Sequence, residues 1–214
     1  SVATVSRALN GHPRVTPETR ERILRVAAEL RFTPSSAARS LITRRTHTVG
    51  ALLPDLHGEY FSELIRGIDL AARARGLHLL VSSSHGDAKE AAAALRAMHG
   101  RVDGLLVMSP HMDADFLGGN LPHGLPAVLL NSDPSDTTHA CFRVDNRGGA
   151  SAMVKHLVKT GHRSIAFIAG PEHNYEAQER LAGYREALHH VLPGTPERVL
   201  QGDFTETSGE HAGK

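Results

Sequence analysis

The chain has no tryptophan, a single cysteine and few aromatic residues, 4% of its 214 positions. The lone Cys141 excludes an intramolecular disulfide framework and fits a reducing cytoplasm. No apolar run approaches the roughly eighteen residues that a membrane-spanning helix needs, so no membrane partner is expected. Residues 1–10 do not read as a secretory leader, because Arg7 interrupts their apolar pattern. Lysine is absent from residues 1–48, where nine arginines stand against three glutamates, a balance of +6. The overall net charge is +1, which leaves −5 for residues 49–214. A basic head on a mildly acidic body points to a polyanionic partner for the head alone.

Several catalytic signatures are missing as well. No Gly-x-Gly-x-x-Gly follows a predicted strand, which argues against a dinucleotide site. Residues 209–214, Gly-Glu-His-Ala-Gly-Lys, come near a phosphate loop, but the spacing is one residue short and no Ser or Thr follows. The fifteen histidines are scattered, and His189 and His190 are adjacent rather than spaced for one helix face. There is no His-Glu-x-x-His and no Gly-x-Ser-x-Gly, and Cys141 has no activating neighbour in sequence. No catalytic residue, metal or cofactor is therefore expected.

The head does carry a pattern. Val2, Val5 and Leu9 recur at i, i+3 and i+7, which predicts the buried face of a short helix with Ser1 as N-cap and Gly11 as stop. Ala3, Thr4, Ser6, Arg7 and Asn10 then occupy the opposite face. Small residues, hydroxyls, one guanidinium and one amide suit close approach to a polar surface such as a DNA major groove. Thr16, Pro17 and Glu18 open a second helix, with Ile23, Val26, Ala27 and Leu30 as its apolar stripe. Two short helices bury little alone, so a further helix upstream is expected. Pro34 blocks continuation, and Ser35 or Ser36 can cap a segment over 37–42, too short to be stable alone.

From Thr48 the pattern changes to strands at about 49–53, 77–81, 104–108 and 127–130, with helices over 60–75 and 88–98 and a weak one near 113–118. A recurrence every 23 to 28 residues indicates an α/β fold with a doubly wound parallel sheet. A short strand over 142–145 and a helix over 146–160 follow. A second series comprises a strand over 164–169, a helix over 176–192 and a strand around 199–200. Ligands of such sheets sit beyond the carboxyl ends of the strands. The residues there include Tyr60, Phe61, Ser84, Ser109, Asn131, Tyr175, Arg180 and Phe204. Aromatic walls with a few hydrogen-bonding groups suit a sugar or a nucleobase. Phe61 could equally be a core aromatic, and Arg180 a salt-bridged surface residue.

Three segments in order, Ser-Val-Ala-Thr-Val-Ser-Arg-Ala-Leu-Asn-Gly at 1–11, Val-Thr-Pro-Glu-Thr-Arg at 15–20 and Ala-Arg-Ser-Leu at 38–41, closely resemble the lactose/galactose-repressor (LacI/GalR) family of bacterial transcription regulators. Gly161-His-Arg-Ser-Ile165, Gly170-Pro171 and Arg180-Leu-Ala-Gly-Tyr184 extend the resemblance along the chain. It implies a small all-α helix-turn-helix head (1–33), a hinge helix and linker (34–47), and a two-lobed, periplasmic-binding-protein-like core. That core would comprise a first lobe at 48–160 and a truncated second lobe at 161–214. By resemblance, Val2, Ala3 and Arg7 face base edges, Ser1, Thr4, Ser6 and Asn10 lie near phosphates, and the hinge residues Ala38, Arg39 and Leu41 also contact DNA, Leu41 levering into the minor groove and Arg39 neutralising nearby phosphates. Phe61 and Phe204 would flank a ligand held by Arg180. Asn131 stands where many members place an acid, which suggests a ligand other than a plain neutral sugar. The implied partners are a double-stranded DNA operator, a second copy of the chain, and a sugar, sugar phosphate or nucleobase effector. The alternative is a free-standing solute-binding protein of the same two-lobed architecture, which has no use for a +6 head.

Overall fold

A computed structural model describes residues 1–9, 11–32, 43, 45–108, 112, 114–131 and 139–214. Asn10, Ala38, Arg39, Leu41 and Ser109, and the short helix expected over 37–42, lie outside the described residues. The chain divides into two compact units, Ser1–Thr46 and His47–Lys214.

The first unit contains α1 (Val2–Leu9) and α2 (Pro17–Glu29). Gly11 at φ +72° ends α1, with the Gly11 N–H donating to the Ala8 carbonyl and the His12 N–H to the Arg7 carbonyl. This left-handed exit is open to glycine at no steric cost. Thr16 caps α2 by accepting from the Thr19 N–H, and Pro17 opens the first turn. Of the expected Val2–Val5–Leu9 face, only Leu9 is partly covered among the described residues. Val2 is 88% exposed and Val5 is exposed, whereas Ala8 is buried together with Val15. Within this unit α1 meets α2 around Ala8. No residue of α2 is buried either.

The second unit opens with β1 (Thr48–Leu53), α3 (Glu59–Arg73), β2 (His78–Ser83), α4 (Ala88–Met98), β3 (Gly104–Met108), α5 (Ala114–Asn120), β4 (Ala127–Leu130) and β5 (Ala140–Phe142). These five strands are parallel in the order β2-β1-β3-β4-β5, with Ala51 opposite Val81 on one side and Leu106 on the other. The order reverses between β1 and β3, which places the ligand-binding crevice of such a sheet beyond their carboxyl ends. Leu52, Leu95, Met98, Leu105, Val107 and Leu129 form the core between sheet and helices. β2 runs two residues further than expected, because Ser82 and Ser83 pair with Leu52 and Leu53. The strand expected over 142–145 sits earlier: Phe142 ends β5, Val144 donates its N–H to Asn131, and Asp145 caps the next helix.

That helix, α6 (Asn146–Lys159), leads to β6 (Ala166–Ala169), α7 (Tyr175–Val191), β7 (Arg198–Gln201) and α8 (Glu206–Ala212). β6 and β7 form a separate parallel pair, Phe167 opposite Val199. Val154 of α6 packs into the second core with Ile165, Tyr184, Ala187 and Leu188. The Tyr184 hydroxyl donates to the Ile165 carbonyl and accepts from the Arg198 N–H, while its ring stacks on Phe167 at 5.0 Å. Gly183 explains how closely α6 and α7 approach: an added Cβ would collide with the Arg147 carbonyl oxygen. Arg147 also pairs across the two helices with Glu186, an exposed ion pair of small energetic weight. α8 was not expected. Thr205 caps it by accepting from the Ser208 N–H, so residues 209–212 are helical and form no phosphate-binding loop.

Candidate functional site

Two surfaces carry the residues singled out by sequence. The first is α1. Successive residues of a helix are about 100° apart, so Val2, Ser6, Ala3 and Arg7 fall within about 140° of arc, opposite Ala8. Val2, Ala3 and Arg7 are exposed, and Thr4 and Ser6 are partly covered. Ser1 sits at the N-terminal end, where its hydroxyl lies 3.1 Å from that of Thr4 and accepts weakly from the Thr4 N–H. α1 contains no acid, and Arg7 lies in its last turn. The face thus combines a methyl, an isopropyl group, hydroxyls and one guanidinium on a rigid helix. Arg20 braces the turn behind it by donating from Nη2 to the His12 carbonyl at 2.7 Å.

The second surface lies beyond the strand ends of the second unit, where side chains from both sheets meet in one network. Asn131 follows β4 at φ +49°, a conformation that Asn tolerates better than most residues. Its N–H donates to the Phe142 carbonyl, its Oδ1 accepts from the Val144 N–H at 3.0 Å, and its Nδ2 donates to the Tyr60 hydroxyl at 3.3 Å. Asn146, buried at the start of α6, continues the chain of contacts. Its Nδ2 donates to Glu176 Oε1 at 3.4 Å, and its Oδ1 accepts from Arg180 Nε at 2.7 Å. Arg180 Nη2 lies 3.5 Å from Glu176 Oε1, one turn earlier on α7. The Arg180 guanidinium also sits over the Phe204 ring, 5.7 Å from its centroid.

The aromatic residues are held by their own local chemistry. Tyr60 and Phe61 meet edge to face at 5.2 Å on the first turn of α3. Phe204 adopts φ +70° and packs on Gly170, where an added Cβ would strike its ring. The loop that presents it is tied by Asp203, whose carboxylate accepts from the Thr205 hydroxyl and N–H. Those bonds hold the Asp203 pKa down at about 2. Burial raises the Tyr60 phenol above its usual value, the Glu176 charge raises it further, and Arg180 partly offsets this. Burial likewise raises the Glu176 carboxyl, opposed by Arg180 and Asn146. Asp55 is held low by the N–H groups of His57 and Leu56.

The structure therefore brings together Tyr60, Asn131, Arg180 and Phe204, with Phe61 against its neighbour Tyr60 and Tyr175 at the head of α7. It does not bring Ser84 into the group: Ser84 is buried, and its N–H and hydroxyl both donate to the Leu53 carbonyl. Asn146 and Glu176 were missed. Glu176 had a legible signal, an acid four residues before Arg180 on a predicted helix. Asn146 had none, because its partners lie about thirty residues away on another element. A cavity of about 230 Å³ is lined by Gly170, Pro171, Gln178, Arg185 and Gln201. None of the network's polar side chains lines it.

Residues 46–213 match the family of periplasmic binding proteins and the sugar binding domain of the LacI family, and residues 1–35 match the bacterial regulatory proteins of the lacI family. The chain belongs to the LacI family. Among LacI-family relatives, catabolite control protein A of Priestia megaterium is 32% identical over 215 residues, covering 99% of this chain and 65% of that protein. The lac repressor dimer bound to operator and the anti-inducer ONPF superposes with a TM-score of 0.83 at 26% identity, over 98% of this chain and 64% of that one. The transcriptional regulator CelR–cellobiose complex superposes with a TM-score of 0.63 at 31% identity, over 99% of this chain and 65% of that one. The chain thus spans a little under two thirds of the length of these LacI-family proteins.

Proposed function

We propose that this chain belongs to a cytoplasmic transcriptional regulator, a homodimeric repressor, that binds duplex DNA through α1 and a small hydroxyl-bearing effector at the Tyr60–Phe204 network. One observation carries the reading. A single chain pairs an acid-free helix face bearing Arg7 with a separate interlobe network of aromatic rings and polar groups. The first arrangement suits a groove: Arg7 can pair with a guanine edge, while Val2 and Ala3 suit a thymine methyl. The second suits a sugar or nucleoside ring, with Phe204 against its apolar face and Tyr60, Glu176 and Arg180 toward its hydroxyls.

The network also suggests how the two roles are linked. Tyr60, at the start of α3, and Asn131, after β4, belong to the first sheet's side, and Glu176 and Arg180 of α7 and Phe204, after β7, to the second sheet's. A ligand touching both groups favours one relative arrangement of the lobes, and any difference in DNA affinity between arrangements becomes regulation. The hinge residues Ala38, Arg39 and Leu41 are proposed to transmit it at the minor groove, Leu41 as an apolar wedge. Relatives carry names consistent with this: the lac repressor dimer was solved with an operator and an anti-inducer, and CelR with cellobiose.

A free-standing solute-binding protein is the rival, and salt separates the two. Operator affinity of the full-length protein, followed by fluorescence anisotropy, is expected to fall linearly on a log–log plot with salt. The expected slope is about −0.9 per neutralised phosphate. A protein whose binding to duplex DNA is undetectable even at low salt would be the solute-binding protein instead.

A further inference from the structure

The chain passes from one compact unit to the other between Thr46 and His47. His47 adopts φ +51°, in the left-handed region that a residue with a Cβ seldom enters. Such a conformation persists where the surroundings over-determine it, and here both backbone polar groups of His47 are taken. Its N–H donates to Asp103 Oδ2 at 2.8 Å, and its carbonyl accepts from the His78 N–H at 2.8 Å. Asp103 also donates its own N–H to the Thr48 carbonyl at 2.7 Å, so it grips two successive residues of the entering chain. These bonds fall on backbone atoms of His47 and Thr48, and therefore set the path of the chain there.

Asp103 is itself firmly placed. Its neighbour Val102 is buried in the first core with Leu105, and Gly50 of β1 lies so close that an added Cβ would strike Leu105 and Met98. The parallel strands β1, β2 and β3 all begin at this end of the sheet, opposite the end at which Asn131 follows β4. The carboxylate thus joins a rigid corner of the second unit to the residue at which the chain enters it. Resting on the reading that residues 1–46 carry the DNA-binding head, we propose that Asp103 is a positioning residue for operator binding. By clamping His47 it fixes the direction in which the linker leaves the second unit. A tethered recognition helix binds more tightly when its tether is already aimed, because less freedom is lost on binding. Asp103 acts on the operator through His47 and makes no contact with DNA.

Operator affinity of the full-length protein, measured by fluorescence anisotropy beside Asp103→Ala and Asp103→Asn, tests the proposal. Loss of one negative charge by itself favours a polyanion, so charge alone predicts tighter binding for both variants. The clamp predicts the opposite sign for Asp103→Ala, a fall of about fivefold or more, the low end of coupling between distant sites. Its His47 amide should exchange hydrogen about tenfold faster or more, as loss of one charge-assisted hydrogen bond allows. Asp103→Asn keeps an acceptor oxygen and is expected within about twofold of wild type, since a neutral hydrogen bond replaces the charged one. Asp103→Ala binding as tightly as wild type, or Asp103→Asn losing as much as Asp103→Ala, overturns the proposal. Should Asp103→Ala not fold, Asp103→Ser, whose side chain is one atom shorter, is read in its place. A wild type that binds operator beside an unaffected Asp103→Ala defeats the clamp alone. A wild type that binds no operator defeats the regulator reading and the clamp with it.

Discussion

Arg180→Ala is expected to abolish effector-dependent release from DNA while leaving effector-free operator affinity within about twofold of wild type. The guanidinium touches three parts of the network, namely Asn146, Glu176 and the Phe204 ring. Its removal deletes a charge-assisted hydrogen bond, each worth about 1.5–3 kcal/mol. It also leaves Glu176 buried without its counter-charge, so the carboxyl is expected to hold its proton to still higher pH. Effector affinity should fall at least tenfold by calorimetry with whichever sugar raises the wild-type melting temperature. Arg180→Lys is expected to rescue charge but not affinity, because an ammonium cannot donate to Asn146 and face Glu176 in the same fork geometry. An effector that still releases Arg180→Ala from DNA at wild-type concentrations would remove Arg180 from the site.

Arg7→Ala is expected to weaken operator binding by about 10- to 100-fold, the 1–3 kcal/mol of a good bidentate base contact. The fold should not change, since Arg7 is exposed at the last turn of α1 and Ala8 rather than Arg7 packs the helix. The loss should be largest at one base pair of each half-site, where specificity should relax. Substitution of a residue that only neutralises phosphate would instead weaken all sequences alike and shallow the salt slope. Gel-shift titration against an operator and its single-base variants distinguishes these outcomes. Equal affinities for wild type and Arg7→Ala would show that α1 does not read bases.

Much of the architecture was legible from local chemistry. The helix over 88–98 lies where the sequence pattern predicts it, and in the structure Asp87 caps it by accepting from the Lys89 and Glu90 N–H groups and Gly100 follows it. β3 and β4 were placed equally well from bare apolar runs. Errors arose where a polar strand end is paired, as at Ser82 and Ser83, or where a chain end is held by a side chain, as at Val144. In α1 the i, i+3, i+7 pattern marks apolar residues and not the direction of a neighbour; among the described residues it is Ala8 that is buried and Leu9 that is partly covered.

The candidate site was legible where a residue's own type gave it away. The aromatics Tyr60, Phe61 and Phe204 stand out near strand and helix ends, and Arg180 within the Arg-Leu-Ala-Gly-Tyr segment that carries the family resemblance. Two roles stayed hidden because they depend on partners remote in sequence. Ser84 reads as a ligand group at a strand exit, yet both its donors go to Leu53. Asn146 reads as a helix start, yet it is the side chain that links Asn131's neighbourhood to Arg180 and Glu176. Asn131 is similar: its identity suits a left-handed strand exit and a two-sided amide bridge as well as any ligand.

The central claim is that effector and operator bind one protein at two sites that are thermodynamically coupled. The most direct measurement is the dissociation constant of the effector, a sugar identified by thermal shift, with and without saturating operator duplex, set beside the operator constant with and without the effector. Linkage requires the two ratios to be equal, and regulation requires them to differ from one by about fivefold or more. Equal effector affinities in the presence and absence of operator would contradict the account.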